Sequence, residues 1–442
     1  MTTSTQALDW IRAGQQALGT RAPEWLAEHR RAALEAFERH GFPTTREEAW
    51  RFTNIGPIAG TTFALAPPEA EGAEALVAAH ELRESAATAV VVNGCFDEQL
   101  SSSALPLGVV VDGLAGSFEQ DDSTAREAVT ALATDGLPFA TLNAAFLEDG
   151  VHVVIPEGAV LTAPIHVLLA TLPEDEPVMA HPRLIIEAGA QSQASVIVSF
   201  VGPDDAVYLT NAVTQVRLDD GAVLELVIDQ RESAAAYHVH HLHAECAASS
   251  ILHSRAVSLG GRIVRNDLSA VLAGEGAHAT LDGVYVADDA QLVDNHTSID
   301  HALPHCTSHE LYKGILAGTA KAVFNGRILV RPDAQKTDAK QTNRALLLSD
   351  AAQVNSNPQL EIFADDVKCT HGAAVGQLDE DALFYLQARG LPPDQARDLL
   401  LHAFAGEVLG EISSSELRGR LEAALFARLD RDMATAAAEV QA

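Results

Sequence analysis

The chain has 442 residues, 61 acidic against 29 basic side chains, and a formal charge of −32. Such a balance excludes nonspecific nucleic-acid binding, which needs lysine and arginine to displace counterions from phosphate, and favours basic or metal-carrying partners. A single core is not expected at this length, so the sequence implies a main domain with attachments or one elongated repeat body. The four cysteines, Cys95, Cys246, Cys306 and Cys369, lie far apart without a Cys-x-x-Cys pair, which removes zinc-ribbon and ferredoxin-type motifs. The start lacks a basic and then apolar leader, and no stretch is apolar enough for a bilayer span. The expectation is a cytoplasmic protein with reduced thiols and no membrane partner.

Residues 23–39 carry helix signals: Pro23 near the first position, Gly41 after the end and Pro43 enforcing the stop. Trp25, Leu26, Ala33, Leu34 and Phe37 supply its buried side. TTREEAWRFTN, residues 44–54, offers a capping box of Thr45 and Glu48 for a short second helix, with Trp50 and Phe52 as packing residues. Residues 65–86 are rich in Ala, Pro and Glu, with little to bury, and read as loop and frayed helix. Apolar runs at 89–93 and 109–112 make the region before Phe139 mixed helix and strand.

Beyond residue 150 the texture changes. Strand candidates appear at 151–155, 165–169, 183–187, 195–199, 223–228, 283–286 and 327–331, each bounded by turn residues and with no long amphipathic helix between them. A βαβ sheet would require such helices and is disfavoured. Gly-Ala turns at Gly158, Gly189, Gly221 and Gly276 precede strand candidates at intervals of 31, 32 and 55 residues. An imperfect period of this size points to the stacked coils of a solenoid, with a jelly roll as the alternative.

Two histidine-rich patches lie on this body. In YHVHHLHAEC, residues 237–246, strand alternation puts His238 and His240 on one face and His241 and His243 on the other. A metal site built on His238 and His240 is the weaker alternative, because the imidazoles diverge. Asp294, His296, Asp300, His301, His305, Cys306, His309 and Glu310 include ligand types for iron or zinc in no known metalloenzyme spacing, and read as wall or interface.

After Gly376 the pattern is helical, with Asp379 as an N-cap, Leu383, Phe384 and Leu386 on an apolar side, and Gly390-Leu-Pro-Pro as a stop. A longer helix starts at Pro393, where Leu400, Phe404 and Val408 recur at i+4 as a stripe. Residues 416–438 continue as an Ala-rich helix or tail. Phosphate-loop, Gly-x-Ser-x-Gly and His-Glu-x-x-His motifs are absent, so the chain is not expected to bind ATP or to carry those chemistries itself. Asp365 and Asp366 alternate faces in a strand, which argues against a paired-carboxylate glycosidase.

The chemistry falls on LEIFADDVKCTHGAAVGQLD, residues 360–379. Read as a strand, it projects Phe363, Val367, Cys369 and His371 together, while Lys368 and Thr370 point away. A soft thiol beside an imidazole suits iron, copper, zinc and iron-sulfur clusters. With NSNP at 355–358, LFYLQARGL at 383–391, KTDAKQTNRALLLSD at 336–350, DNHTSIDH at 294–301 and ELYKGI at 310–315, this stretch resembles the SufB/SufD family of iron-sulfur cluster assembly scaffolds, on its SufD side. The Glu-Glu-x-Trp-Arg-Phe-Thr run near the N-terminus is a further, modest match. The likeness covers roughly the last two thirds of the chain.

The resemblance implies a mainly β protein with a right-handed parallel β-helix core. The expected division is an N-terminal helical or mixed domain at 1–145, the β-helix at 146–376 and a C-terminal helical domain at 377–442. It further implies a noncatalytic scaffold subunit that pairs with a SufB-like paralogue, or with itself in isolation, and docks a SufC-like ATPase through the C-terminal helices, with Leu400, Phe404 and Val408 as candidate docking residues. A transient iron-sulfur cluster would sit at the subunit seam against His371 and Cys369. ATP would act only through SufC, and the sequence does not decide flavin use. The alternatives are a standalone metal-dependent β-helix or cupin-like enzyme built on the His238 patch, and a purely structural adaptor.

Overall fold

The computed structural model describes residues 5–18, 22–119, 123–132, 134 and 136–440, excluding the side chains of residues 5, 6 and 430–440. Its centre is a parallel β-solenoid. Among the described residues, one sheet stacks eight parallel strands from Gly150–Ile155 to Gln353–Ile362, and the other stacks nine from Ala87–Val92 to Lys368–Gly376. From Gly150 onward, partners on adjacent rungs lie between 26 residues apart, Tyr237 with Ile263, and 33 apart, Gly150 with Arg183.

The period is kept by one corner that repeats. Gly158, Gln191, Gly221, Ser249, Gly276, His305 and Lys336 all adopt φ between 56° and 72°. The N–H of each donates to the carbonyl before the next corner, from Gly158 to Ala190 through to Lys336 to Asp366, at 2.7 to 3.1 Å. The 55-residue interval is therefore two turns with Ser249 at the corner between them. Left-handed backbone costs an L-residue about 1–2 kcal/mol, and here the corner-to-corner hydrogen bonds offset it. Gly189 is not one of these corners; it is small because a Cβ there would press on the backbone of Glu157.

Side chains alternate in and out of the coil. The inward positions of the first rungs are aliphatic, including Val167, Val198, Leu226, Leu242 and Leu252, and all are buried. Each contributes roughly 1.5–3 kcal/mol by leaving water.

The N-terminal region covers the outer face of the first sheet. The helix Glu24–His40 forms as expected, burying Leu26, Ala33 and Phe37. The capping pair is Thr44 and Glu47, one residue earlier than the sequence implies, with the Thr44 N–H donating to Glu47 at 2.7 Å ahead of a short 3-10 turn, Glu48–Trp50. Trp50 is buried but Phe52 is exposed. A helix, Ala73–His80, occupies part of the stretch read as loop and frayed helix. The strand Ala87–Val92 joins the second sheet beside Ile165–Ala170, so a boundary at 145 cuts through a shared sheet.

Three C-terminal helices, Glu380–Ala388, Pro393–Leu409 and Ser415–Val440, follow the last rung. Asp379 caps the first, accepting from Asp381 N at 2.9 Å and Ala382 N at 3.2 Å. Leu401, Ala405, Val408 and Leu421 pack on Val227, Val257, Val284 and Ile315 of the second sheet. Lys313, almost fully buried, fastens this layer by an ion pair to Glu407, a hydrogen bond to the Phe404 carbonyl at 2.8 Å and a place over the Phe404 ring.

The corner geometry makes a direct prediction. Gly221→Val places a β-branched residue at φ 68° and drives its Cβ into the Gln191 amide. Chemical denaturation should show a loss of about 2 kcal/mol or more, while Ser249→Gly should not destabilise by more than a few tenths of a kcal/mol.

Candidate functional site at the open end of the solenoid

Residues 360–379 are not one strand. Gln353–Ile362 ends the first sheet and Lys368–Gly376 ends the second, and residues 363–367 turn the corner between them. Phe363 and Val367 therefore do not share a strand face with Cys369, and Asp365 and Asp366 lie in the corner. Cys369 and His371 do share a face: they continue the inward columns of the second sheet.

The column under His371 runs Ile165, Val196, Leu226, Ser254, Leu281, Glu310, Gln341 and then His371. The column under Cys369 runs Ala194, Leu224, Leu252, Ala279, Ser308, Ala339 and then Cys369. No further rung covers the last one, so its inward positions face outward at the mouth: Cys369 is half-buried, and His371 and Val375 are exposed. Ile362 and Phe363 add exposed apolar surface from the other sheet. Both terminal strands also have a free edge. Such an edge, with its row of unpaired N–H and C=O groups, is ready to pair with another chain.

Burial sets the state of the thiols. Cys95 and Cys246 are pushed up to about 12 by desolvation, and Cys306 is also raised while donating to the Gly274 carbonyl at 3.2 Å. Cys369 is raised by partial burial and by Asp338, so a metal ion binding there must displace its proton. Of the four cysteines, Cys369 alone lies on the terminal rung.

The solenoid interior becomes polar towards this end. Asn266 donates to Asn295 at 2.9 Å, His301 pairs with Ser308 at 2.9 Å, and Asn343 donates to Ser356 at 3.0 Å. Glu310 is wholly buried and accepts from Gln341 Nε2 at 2.5 Å; desolvation raises it to about 7 against the hydrogen bond from Gln341.

The other candidates separate. His238 and His240 are sealed inside the wall, His238 Nδ1 2.7 Å from Glu232, His240 Nε2 2.9 Å from Thr214, and both rings edging Phe200. Burial depresses His240 well below its ordinary range. They have no route to a substrate, which removes the support for an enzyme built on that patch. The acidic and histidine-rich stretch 294–310 splits between faces. Asp294, held down to about 2 by Arg265 and His296 despite burial, is an outward anchor for Thr53, while His301 and Glu310 point inward. Among the described residues, no group of three or more His, Cys, Asp or Glu side chains converges to hold a metal ion. No described helix is long and apolar enough to cross a membrane.

The candidate docking stripe is only partly accessible. Val408 is fully buried against the second sheet, and Leu400 and Phe404 are half-buried. An i+4 spacing marks a stripe but not which neighbour it faces. Among the described residues, the large exposed apolar side chains of this layer are Phe384, Tyr385 and Leu399.

The fold is a parallel β-solenoid, uncovered at its last rung and flanked by helical layers. Residues 171–404 match the SUF system FeS cluster assembly SufBD core domain, and residues 1–167 match the SufBD protein N-terminal region. The chain is 31% identical to an iron-sulfur cluster assembly SufBD family protein of Synechocystis over 91% of each chain. It is 28% identical to the iron-sulfur cluster assembly protein SufD of Escherichia coli, over 94% of this chain and 95% of that one. To the chloroplastic protein ABCI7 of Arabidopsis thaliana it is 30% identical, over 89% of this chain and 84% of that one. The chain belongs to the SufBD family, and its role lies in iron-sulfur cluster assembly.

Glu310 provides a test of the polar interior. A carboxyl raised from 4.5 to about 7 on folding holds its proton more tightly in the native state, so its contribution is fully present below the unfolded value and is lost as pH rises through 7. Glu310→Gln, a neutral substitute of the same shape, should match the wild type near pH 4 and exceed it by up to about 3 kcal/mol at pH 8, read from denaturation midpoints at the two pH values.

Proposed function

We propose that this chain is the SufD-type, noncatalytic scaffold subunit of a SUF complex. It pairs with a SufB-like paralogue through the open end of its solenoid and holds one side of a nascent iron-sulfur cluster at the seam with His371 and Cys369. The observation that carries this reading is the terminal rung: a thiol and an imidazole on one face, accessible beside two unpaired strand edges and the exposed Ile362, Phe363 and Val375. Few, exchangeable ligands suit a cluster that is built and then passed on, since full thiolate ligation would resist release. The remaining ligands come from the paralogue.

The ATPase subunit docks on the C-terminal helices, where Phe384, Tyr385 and Leu399 offer the apolar surface, with Leu400 and Phe404 at its margin. ATP acts only there, shifting the population of open and closed seams by differential binding. The acidic surface keeps the assembly off nucleic acid. In isolation the same free edges pair two copies of this chain.

Two experiments test this. His371→Ala, at an exposed position, should leave folding stability within about 0.5 kcal/mol and ATPase-subunit binding unchanged, while lowering the iron and acid-labile sulfide of the purified complex; unchanged cluster content would refute the assignment. Phe384→Asp combined with Leu399→Asp should abolish copurification of the ATPase subunit without altering cluster-site residues; retention of that subunit would place its docking surface elsewhere.

A further inference from the structure

The column beneath His371 holds more than the site described above requires. Gln341 lies one rung below His371, and Glu310 one rung below Gln341, all three at inward positions in strict register. The Gln341 amide nitrogen donates to Glu310 Oε2 at 2.5 Å, which fixes which end of the amide points down the column. Its carbonyl oxygen is buried and has no partner among the described residues, the exposed His371 ring lying turned away from it. A buried amide oxygen left unsatisfied costs about 1–3 kcal/mol, so a donor is expected for it. Gly326, from the facing sheet, is part of the same arrangement: a Cβ there would collide with the Gln341 amide nitrogen, so any larger residue would push the amide off Glu310.

Adjacent rungs are roughly 4.8 Å apart, so rotation of the exposed His371 side chain brings a ring N–H within hydrogen-bond reach of the amide oxygen on the rung below. We propose that Gln341, locked by Glu310, is a positioning residue for His371: its amide oxygen accepts one ring N–H and leaves the other ring nitrogen, with its lone pair, turned to the seam. This rests on the reading of His371 as a cluster ligand. It assigns to Gln341 and Glu310 the outer-shell part that amide and carboxylate groups play behind ligating histidines, where they set the tautomer and aim the ring.

The test uses the full chain with ring-15N histidine, the His371 signals being those absent from His371→Ala. In the wild type the two ring nitrogens should show one dominant tautomer. Gln341→Leu should collapse this to the mixture of a free imidazole, and Gln341→Met, which keeps the side-chain length, serves the same purpose if the leucine variant does not fold. Glu310→Gln, which still accepts from Gln341, should keep the single tautomer. In the reconstituted complex, Gln341→Leu should lower iron affinity about 10- to 100-fold. Unchanged His371 nitrogen shifts in a folded Gln341 variant would overturn the proposal. A collapsed tautomer together with normal iron in His371→Ala would instead uphold the positioning and refute the ligand assignment.

Discussion

The constraint on which the structure depends is register. In a parallel coil each inward side chain rests on the inward side chain of the preceding rung, so one residue's environment is largely set by residues about thirty positions away. Hydrogen bonds from corner to corner keep that spacing, and seven corners hold the left-handed backbone that closes each turn. A shift of one residue anywhere would turn a whole column from core to solvent.

Register also explains why the chemistry sits at an end. The column that begins with Ile165 and Val196 passes through Ser254, Leu281, Glu310 and Gln341 before it reaches His371. The last rung has nothing above it. Its inward thiol and imidazole are accessible for that reason alone, and its free edges leave the same end open to strand addition. The exposure of Cys369 and His371 and the unpaired strand edges are thus consequences of one unfinished coil. The helical layers on the flanks use the outer faces instead, with Arg265 and Asp294 anchoring one side and Lys313 the other.

What the sequence showed follows the same physics. Early strands such as Arg183–Ala188 and Gln193–Val201 are aliphatic inside and stand out from their surroundings. Later ones such as Leu292–His301 and Asp338–Leu347 bury Asn295, Gln341 and Asn343, whose hydrogen bonds satisfy polar groups inside the coil and leave no apolar alternation to read. The glycine period faltered where Ser249, His305 and Lys336 take the corner. The corner after Ile362 has no glycine or proline, so two strands in different sheets looked like one. Leu400, Phe404 and Val408 were recognisable as a stripe, but only the packed sheet shows that Val408 faces inward. The Cys369 and His371 pair was legible because alternation within one strand is local; the column beneath it, spread over residues 310 and 341, was not.

The central claim is that His371 of this chain meets iron at a seam shared with a second subunit. The most direct measurement is pulsed electron paramagnetic resonance on the reduced complex, assembled with 15N-histidine in this chain only. The account requires a 15N coupling to the cluster that vanishes in His371→Ala. A cluster that shows no coupling to labelled histidine, or keeps the coupling in that variant, would contradict it.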